Sequence, residues 1–226
     1  MTTIDLKPLK EFLETKDGLP YIHRDISWLS FNYRVLQEAM DSSVPLLDRL
    51  KFLAIYSSNL DEYFKVRMAY HRHLVRVSKS TKQELEYDPK SAIKEIRRIV
   101  NLQQEVFSKV FDQMIIPELK DQKIFLLRRL DLNDEQQIFV EAYFKDNMLP
   151  YVQPVLLHQK RIRPFLNNAA LYLTLWLKPI ENPNAPDEYA LVKMPSDQLP
   201  RFIHLPASAP GRQDMIMLDD IVRHSV

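Results

Sequence analysis

The sequence predicts an α+β protein that is mainly α: an N-terminal antiparallel helical bundle followed by an incomplete α+β domain with antiparallel strands. Three observations support this prediction. Apolar residues recur at intervals of three and four through the first half of the chain, which is typical of amphipathic helices. Beyond Pro150 prolines multiply, and apolar residues begin to alternate with polar ones, which is typical of strands. Among the 226 residues, 46% are hydrophobic and 27% are charged, a composition typical of folded proteins.

We expect three parts along the chain. Residues 1–20 are polar and aperiodic and are interpreted as a flexible lead. Residues 21–121 form the predicted helical domain, and residues 122–226 form the predicted α+β domain. A helix is expected to open at Leu218 and to continue past Val226, so we expect the second domain to be truncated.

The first predicted helix spans 27–40, with Ser27 or Asp25 as its N-cap, because both side chains can accept a hydrogen bond from a free backbone N–H. Pro45 suits the first turn of the next helix, LLDRLKFLAIY. The polar hexad 57–62 is expected to break this helix, and a further helix is expected over 60–77.

The hexad SSNLDE has two interpretations. Asn59 and Glu62 have the spacing of a capping box, and acidic residues are favourable at the positive N-terminus of a helix. Alternatively, Asp61 and Glu62 bind a divalent cation or act as an acid–base pair. The spacing favours the cap, with Asn59 as the capping residue.

Two later helices carry clear start signals. Asp88-Pro89 supplies a cap followed by proline at the first helical position, and an unbroken apolar stripe then predicts a helix over 89–115. Asn133 and Gln136 have capping-box spacing at the start of a helix predicted over 133–147. Short apolar or alternating runs predict strands at 123–127, 171–178, 188–194 and 201–205, with a loop at 181–187.

Composition excludes several classes of function. The net charge is +1, so the chain as a whole has no general attraction for nucleic acid or membranes. There is no cysteine, which excludes disulfides and thiolate sites. No glycine lies between Gly18 and Gly211, so neither of the common glycine-rich phosphate loops is present. We find no apolar run long enough to span a bilayer and no signal peptide, so a cytoplasmic location is the simplest inference.

The six histidines suggest neither a metal site nor a catalytic site. Only His71 and His73 are close in sequence, and a spacing of two puts them on different faces of a helix, whereas helical ligand pairs lie three or four apart. We therefore interpret them as surface histidines. No Ser, His and acid set shows a local triad signature.

Arginines and aromatic residues offer weaker signals. The arginines cluster as Arg67, Arg72 and Arg76, as Arg97 and Arg98, and as Arg161 and Arg163. Such clusters can bind phosphate, although on helices they are more often solvated faces. The first helices carry Trp28, Phe31, Phe52, Tyr56, Tyr63 and Phe64. We expect most in the core, with one or two beside Asn59 available to stack on a base. The near-zero net charge disfavours a nucleic-acid binder that uses the arginine-bearing helices.

Residues 25–69 resemble the N-terminal domain of bacterial polyphosphate kinases. The coinciding motifs are SWLSFN (27–32), RVLQEA (34–39), PLLDRLKFLAIYSSNLDE (45–62) and KVRMA (65–69). Later motifs resemble the next domain of that family, often called the head: PFLNN (164–168), the alternating strand 171–178, PSDQLPRFIHLP (195–206) and MLDDIVR (217–223). The resemblance covers about 21–226 and leaves 1–20 outside.

The resemblance implies an activity and one site residue. The family reversibly transfers the terminal phosphate of ATP to inorganic polyphosphate through a phosphohistidine. Its N-terminal domain lies against the adenine end of ATP, and the asparagine of the SNLDE motif, here Asn59, is an ATP-binding position. On this resemblance Asp61 and Glu62 are residues that support Asn59, and they are no longer catalytic candidates. The implied partners are ATP or ADP, polyphosphate and a second copy of the chain, paired through the head, in a cytoplasmic enzyme that associates at most peripherally with membranes.

The departure from the family pattern limits what this chain is expected to do. The family's phosphorylated histidine, its magnesium-binding positions and most of its phosphate-binding side chains belong to two later domains. None of the six histidines here lies in the family's catalytic motif. We therefore expect this N-terminal portion to be inactive alone, with no catalytic residue and no Mg²⁺ ligand of its own. The alternative is a non-catalytic oligomerisation module in which SSNLDE is only a helix cap.

Overall fold

In the computed structural model, which describes residues 13–16, 19–78, 85, 87–157, 165–178 and 187–225, the chain divides into two units between Leu119 and Lys120. The first unit is mainly helical and the second mixes helices with strands, so the predicted α+β, mainly α class is confirmed. Within the described ranges, no helix is long and apolar enough to cross a membrane.

The first unit opens with a short hairpin and continues as helices. Its elements are β1 (Leu13–Lys16), β2 (Leu19–Ile22), α1 (Arg24–Met40), α2 (Leu46–Tyr63), α3 (Ala69–Leu74), α4 (Pro89–Val110) and α5 (Ile116–Asp121). Strands β1 and β2 pair antiparallel, within the stretch for which no element was predicted. Two wider π-helical turns, Phe64–Met68 and Phe111–Ile115, join α2 to α3 and α4 to α5.

The predicted helix break at the polar hexad is wrong. Helix α2 runs through 57–62 without interruption, and the irregular turn follows it at Phe64–Met68. The reason is an apolar stripe at helical spacing that passes through the hexad, formed by the buried residues Leu53, Tyr56, Leu60 and Tyr63. Burial of this stripe outweighs the weak helix propensity of the serines and of Asn59.

Two predicted helix starts have different outcomes. At α1 the predicted caps are wrong, because Asp25 and Ser27 lie inside the helix and the His23 side chain accepts a hydrogen bond from the Asp25 backbone N–H. At α4 the prediction is confirmed, since Asp88 accepts from the backbone N–H groups of Lys90 and Ser91 at 3.3 and 2.9 Å.

Helices α1 and α2 lie antiparallel, as their contacts show. Ala39, late in α1, accepts from Arg49 near the start of α2, whereas Asp25, early in α1, accepts from Tyr63 at the end of α2. Helix α4 packs beside them, and the Gln103 side chain donates to the Leu29 carbonyl at 3.0 Å. The shared core includes Leu29, Leu36, Leu53, Tyr56, Ile96, Ile99 and Val100.

Among its described residues, the second unit contains two three-stranded sheets and two α-helices. Its elements are β3 (Ile124–Leu127), α6 (Asp134–Tyr143), β4 (Val155–Leu156), β5 (Tyr172–Leu177), β6 (Glu188–Lys193), β7 (Phe202–His204), β8 (Gln213–Met217) and α7 (Leu218–Ser225). The sheet orders are β3-β8-β7 and β4-β6-β5. The pairing of β3 with β8 is parallel, and the other pairings in these sheets are antiparallel.

Local signals located most elements of this unit. The capping box at α6 is confirmed, because Asn133 accepts from the Gln136 N–H at 2.9 Å and Gln136 accepts from the Asn133 N–H at 3.2 Å. A π-helical turn, Phe144–Met148, and a 3₁₀ turn, Leu149–Tyr151, extend α6. The predicted loop 181–187 lies outside the described residues except for its last position.

We expect the ion pair between the buried Arg49 and the partly exposed Glu118 to stabilise the first unit. Arg49 is 1% exposed, and its Nη1 donates to both carboxylate oxygens of Glu118 at 2.6 and 2.7 Å. Breaking a fully buried ion pair costs roughly 3–5 kcal/mol, because a desolvated charge is left behind. Because the Glu118 side chain is 40% exposed, water can partly solvate the Arg49 charge once the carboxylate is removed. We therefore expect Glu118→Ala to lower the free energy of unfolding, measured with urea, by about 2 kcal/mol.

The matched control is Asp48→Ala, which removes the acid from an exposed pair with Lys51 at 2.8 Å. Exposed pairs contribute little, because water already solvates both charges, so we expect a loss below about 1 kcal/mol. Equal losses for the two variants would show that burial of Arg49 adds nothing to the strength of its pair with Glu118.

In the second unit, Asp214 is expected to give a pH-dependent contribution to stability. Burial favours a raised pKa for this carboxyl, which is 1% exposed, but hydrogen bonds from Ser208 and Arg212 outweigh it and lower the pKa. A lowered pKa stabilises the fold above the unfolded value of about 3.9, and this contribution disappears as the pH falls through the folded value.

The free-energy difference between wild type and Asp214→Asn should therefore be largest near neutral pH and shrink below about pH 4. Thermal unfolding followed by near-UV circular dichroism at several pH values measures it. Asp187→Asn removes one charge from an exposed position just before β6 and serves as the control at pH 7. A difference that grows on acidification would refute the assignment.

Candidate functional site

Asn59 lies on the face of α2 that meets α1, and its side chain bonds across the helix interface. Its Nδ2 donates to Oδ1 of Asn32 at 3.1 Å. The Asn32 side chain is fully buried, and its own Nδ2 donates to the backbone carbonyl of Tyr56 at 3.2 Å. Asn59 is thus held by a tertiary contact between two helices and caps no helix.

The hydrogen-bond chain determines which way each amide points. The Tyr56 carbonyl can only accept, so Asn32 must direct its NH₂ group toward it and its oxygen toward Asn59. Asn59 must then offer its NH₂ group to Asn32. Its Oδ1 has no hydrogen-bond partner among the described residues, and the residue is only partly buried. The oxygen and the second amide hydrogen of Asn59 therefore remain available for further hydrogen bonds.

Aromatic side chains flank this interface. Trp28 stacks on Tyr63 with ring centroids 4.8 Å apart, and Tyr63 is buried with its hydroxyl donating to the Asp25 carbonyl at 2.9 Å. Burial raises the pKa of both Tyr56 and Tyr63, so both stay neutral near pH 7. Phe31, next to Asn32 in α1, is 55% exposed, and its ring centroid lies 6.4 Å from that of Trp28. An exposed aromatic ring of this kind can stack on a flat ligand.

The acidic residues of the hexad do not form a site with Asn59. Asp61 and Glu62 point to solvent on the outer face of α2, and Asp61 pairs with Lys65 one turn further along. The predicted capping box between Asn59 and Glu62 is wrong, because both residues lie inside the helix. Asp61 and Glu62 therefore contribute to the solvent-exposed polar face of α2.

A buried cluster of three residues was missed by sequence reasoning. His71 Nε2 lies 2.9 Å from Asp25 Oδ2, and the Tyr87 hydroxyl lies 3.2 Å from His71 Nδ1. His71 is fully buried, so its interpretation as a surface histidine is wrong; His73 is exposed as predicted. The signal that was available is its spacing of three from the buried residues Met68 and Leu74.

Charge at this cluster is balanced locally. Burial of Asp25 favours a raised pKa, but the hydrogen bond and positive charge of His71 outweigh it and lower the pKa. Arg24 and Arg67 approach Asp25 Oδ1 at 3.5 and 3.7 Å. Asp25 is thus held as a carboxylate at the start of α1, where the helix dipole also favours negative charge.

The predicted arginine groups that lie in the described residues are not gathered into one phosphate site. Arg67 approaches Asp25, and Arg98 forms a charged hydrogen bond with the buried Glu95 at 2.8 Å. Arg72 and Arg97 are exposed on the helices. The pair Arg161 and Arg163 lies outside the described residues.

Comparison with known protein families identifies relatives of both units. Residues 21–127 match the family model described as the polyphosphate kinase N-terminal domain. Residues 135–226 match the model described as the polyphosphate kinase middle domain. Together the two matches include every element from α1 to α7.

Individual relatives agree with the family matches. The polyphosphate kinases of Yersinia pestis and of Escherichia coli K12 are each 37% identical over 207 residues, covering 90% of this chain and 29% of the relative. The crystal structure of polyphosphate kinase from Porphyromonas gingivalis superposes with a TM-score of 0.73 at 34% identity, covering 88% of this chain and 29% of that chain. The chain thus spans 29% of the length of the curated relatives it matches.

Proposed function

This chain belongs to the polyphosphate kinase family, and from that premise we propose that it forms the part of such an enzyme that holds the base of ATP. The whole enzyme reversibly transfers the terminal phosphate of ATP to inorganic polyphosphate. Asn59 is the proposed ATP-binding residue. The observation that supports it most is the amide oxygen of the partly buried Asn59, which has no hydrogen-bond partner among the described residues.

The chemistry of adenine suits this amide. Adenine presents an exocyclic NH₂ donor beside a ring nitrogen acceptor, and an asparagine side chain offers the complementary acceptor and donor. Because Asn32 and the Tyr56 carbonyl fix the amide orientation before ligand arrives, little side-chain entropy is lost on binding. Phe31 is the proposed stacking partner for the base.

The phosphate end of the reaction is proposed to lie on other domains of the enzyme. Phosphoryl transfer needs cations around the phosphates and, in this family, a histidine nucleophile. His71 is fully buried and hydrogen-bonded at both ring nitrogens, which does not suit a nucleophile. The proposed Mg²⁺ ligands and phosphohistidine are therefore residues outside these 226.

The second unit is proposed to pair subunits into a homo-oligomer, in a cytoplasmic enzyme. An exposed aromatic pair on one sheet face supports this proposal. Trp176 and Tyr189 stand opposite each other on β5 and β6 and are 59% and 45% exposed. Exposed aromatic side chains of this kind are typical of protein interfaces. We also propose the division into a lead, 1–20, a helical domain, 21–121, and a head domain, 122–226.

The alternative, a pure oligomerisation module with SSNLDE as a helix cap, loses its structural premise. The hexad lies inside α2 and caps nothing. An asparagine inside a helix is unfavourable by propensity, and Asn59 uses only part of its hydrogen-bonding capacity within the described residues. A ligand contact accounts for both features.

We expect Asn59→Ala to weaken ATP use without unfolding the protein. The test uses an enzyme in which residues 21–226 replace the matching part of the Escherichia coli relative. Loss of one net hydrogen bond of about 0.5–1.5 kcal/mol predicts a KM for ATP raised roughly 2- to 12-fold, with the KM for polyphosphate unchanged. Steady-state kinetics against each substrate measure both constants.

Asn133→Ala is the matched control, since it removes an asparagine that caps α6 and contacts no proposed ligand. It should lower stability by about 1 kcal/mol and leave the KM for ATP unchanged. If Asn59→Ala behaves like Asn133→Ala, with a stability loss and an unchanged KM, Asn59 is only structural and the proposal fails.

We also expect the 226-residue chain alone to be inactive. Incubated with ATP, Mg²⁺ and a polyphosphate primer, it should produce no ADP and no longer polyphosphate, because the proposed nucleophile and phosphate cradle are absent. Gel electrophoresis of the polymer and a coupled ADP assay provide the readouts, with the chimeric enzyme as the positive control. Primer extension by the purified chain would disprove this part of the proposal.

A further inference from the structure

We propose that His23, Asp25 and His71 form a binding site for a divalent transition-metal ion, for which Zn²⁺ is the probe. One potential ligand atom from each of the three residues lies within 4.8 Å of the other two. The cluster joins the start of α1 to α3 in the first unit. It is independent of the proposed ATP contact at Asn59.

The burial and type of the three side chains favour a metal site. His71 is 0% and Asp25 is 3% exposed, while His23 is half-buried. Two imidazole nitrogens and one carboxylate oxygen are a ligand set that Zn²⁺ and similar first-row ions bind, with water in a fourth position. Mg²⁺ prefers oxygen ligands and is not expected to compete.

The spacing between His71 and Asp25 requires only a small adjustment. His71 Nε2 and Asp25 Oδ2 lie 2.9 Å apart. Ligands about 2.0–2.1 Å from a tetrahedral zinc ion are roughly 3.3 Å apart. These two atoms must therefore separate by a few tenths of an ångström, and the ligand atom of His23, within 4.8 Å of both, must approach them by up to about 1.5 Å.

Neighbouring groups already hold two of the ligands in place. The Tyr87 hydroxyl lies 3.2 Å from His71 Nδ1 and can accept that N–H when Nε2 binds the metal, which selects the required tautomer. Arg24 and Arg67 lie nearest to Asp25 Oδ1 and leave Oδ2 facing His71. These arginine side chains are 74% and 45% exposed, so solvent and salt screen their repulsion of a cation.

The experiment titrates the untagged 226-residue chain with Zn²⁺ by isothermal titration calorimetry and with Co²⁺ by visible absorption. We expect one ion per chain, a tetrahedral Co²⁺ spectrum that Zn²⁺ abolishes, and a higher Tm with Zn²⁺, because an ion that binds the folded state stabilises it. Excess Mg²⁺ should not displace Co²⁺. If the wild-type chain shows no stoichiometric binding, or if Mg²⁺ displaces Co²⁺, the proposal is wrong.

Three histidine variants assign the ligands. His23→Asn removes an imidazole but keeps a favoured N-cap residue for α1, so it should fold and bind Zn²⁺ at least ~10-fold more weakly. His71→Asn should weaken binding by at least ~100-fold, a larger effect than losing an outer-shell partner. His73→Asn changes the exposed neighbour on α3 and should bind like wild type.

His23→Asn also decides the question if His71→Asn does not fold. Unchanged Zn²⁺ affinity in a folded His23→Asn chain would overturn the proposal. An equal loss of affinity in His73→Asn would also overturn it, because the ion would then be binding exposed histidines on the helix surface.

Discussion

The helix arrangement of the first unit depends on one constraint: a polar side chain that is buried in a water-free interface needs a hydrogen-bond partner. Four such side chains find it at the backbone carbonyl of another helix: Arg49 at Ala39, Asn32 at Tyr56, Tyr63 at Asp25 and Gln103 at Leu29. The carbonyls of Asp25, Leu29 and Tyr56 lie inside helices and accept a second bond, whereas that of Ala39 lies in the last turn of α1, where no helical N–H follows to bond it. Since a shift of register would leave each donor unpaired, the bonds specify how α1, α2 and α4 align, beyond what apolar packing alone requires.

The same constraint positions the candidate site. An asparagine on a surface loop would sample several orientations, whereas Asn59 is tied to a buried amide that is itself tied to a main-chain carbonyl. Fixed orientation allows the side chain to distinguish a ligand that donates from one that accepts at the same position. Because the amide lies inside a continuous helix, no glycine-rich loop is needed to present it.

Sequence reasoning succeeded where the decisive interaction is local. The caps at Asp88 and Asn133 involve residues within three positions, and their spacing is visible in the chain.

Prediction from the sequence failed where the role of a residue depends on a partner that is distant in the chain. Asn59 was taken for a cap because Asn32, its actual partner, lies 27 positions away. The parallel pairing of β3 with β8 could not be predicted either, since alternation indicates a strand but not its neighbour. Asn59 was singled out as an ATP contact by family resemblance, and no spacing rule would have chosen it.

His71 shows a second limit of prediction from sequence patterns. It also shows which partners a buried titratable group requires. Histidine is not a typical core residue, yet His71 is buried because it lies on the same helix face as the buried residues Met68 and Leu74. Once buried, it needs a partner at both ring nitrogens, and Asp25 and Tyr87 supply them. Asp25 in turn needs compensation, which Arg24 and Arg67 provide from the solvent side. The buried acid thus has a histidine on one oxygen and arginines near the other. A metal ion bound between Asp25 and His71 would take the place of the hydrogen bond that now joins them.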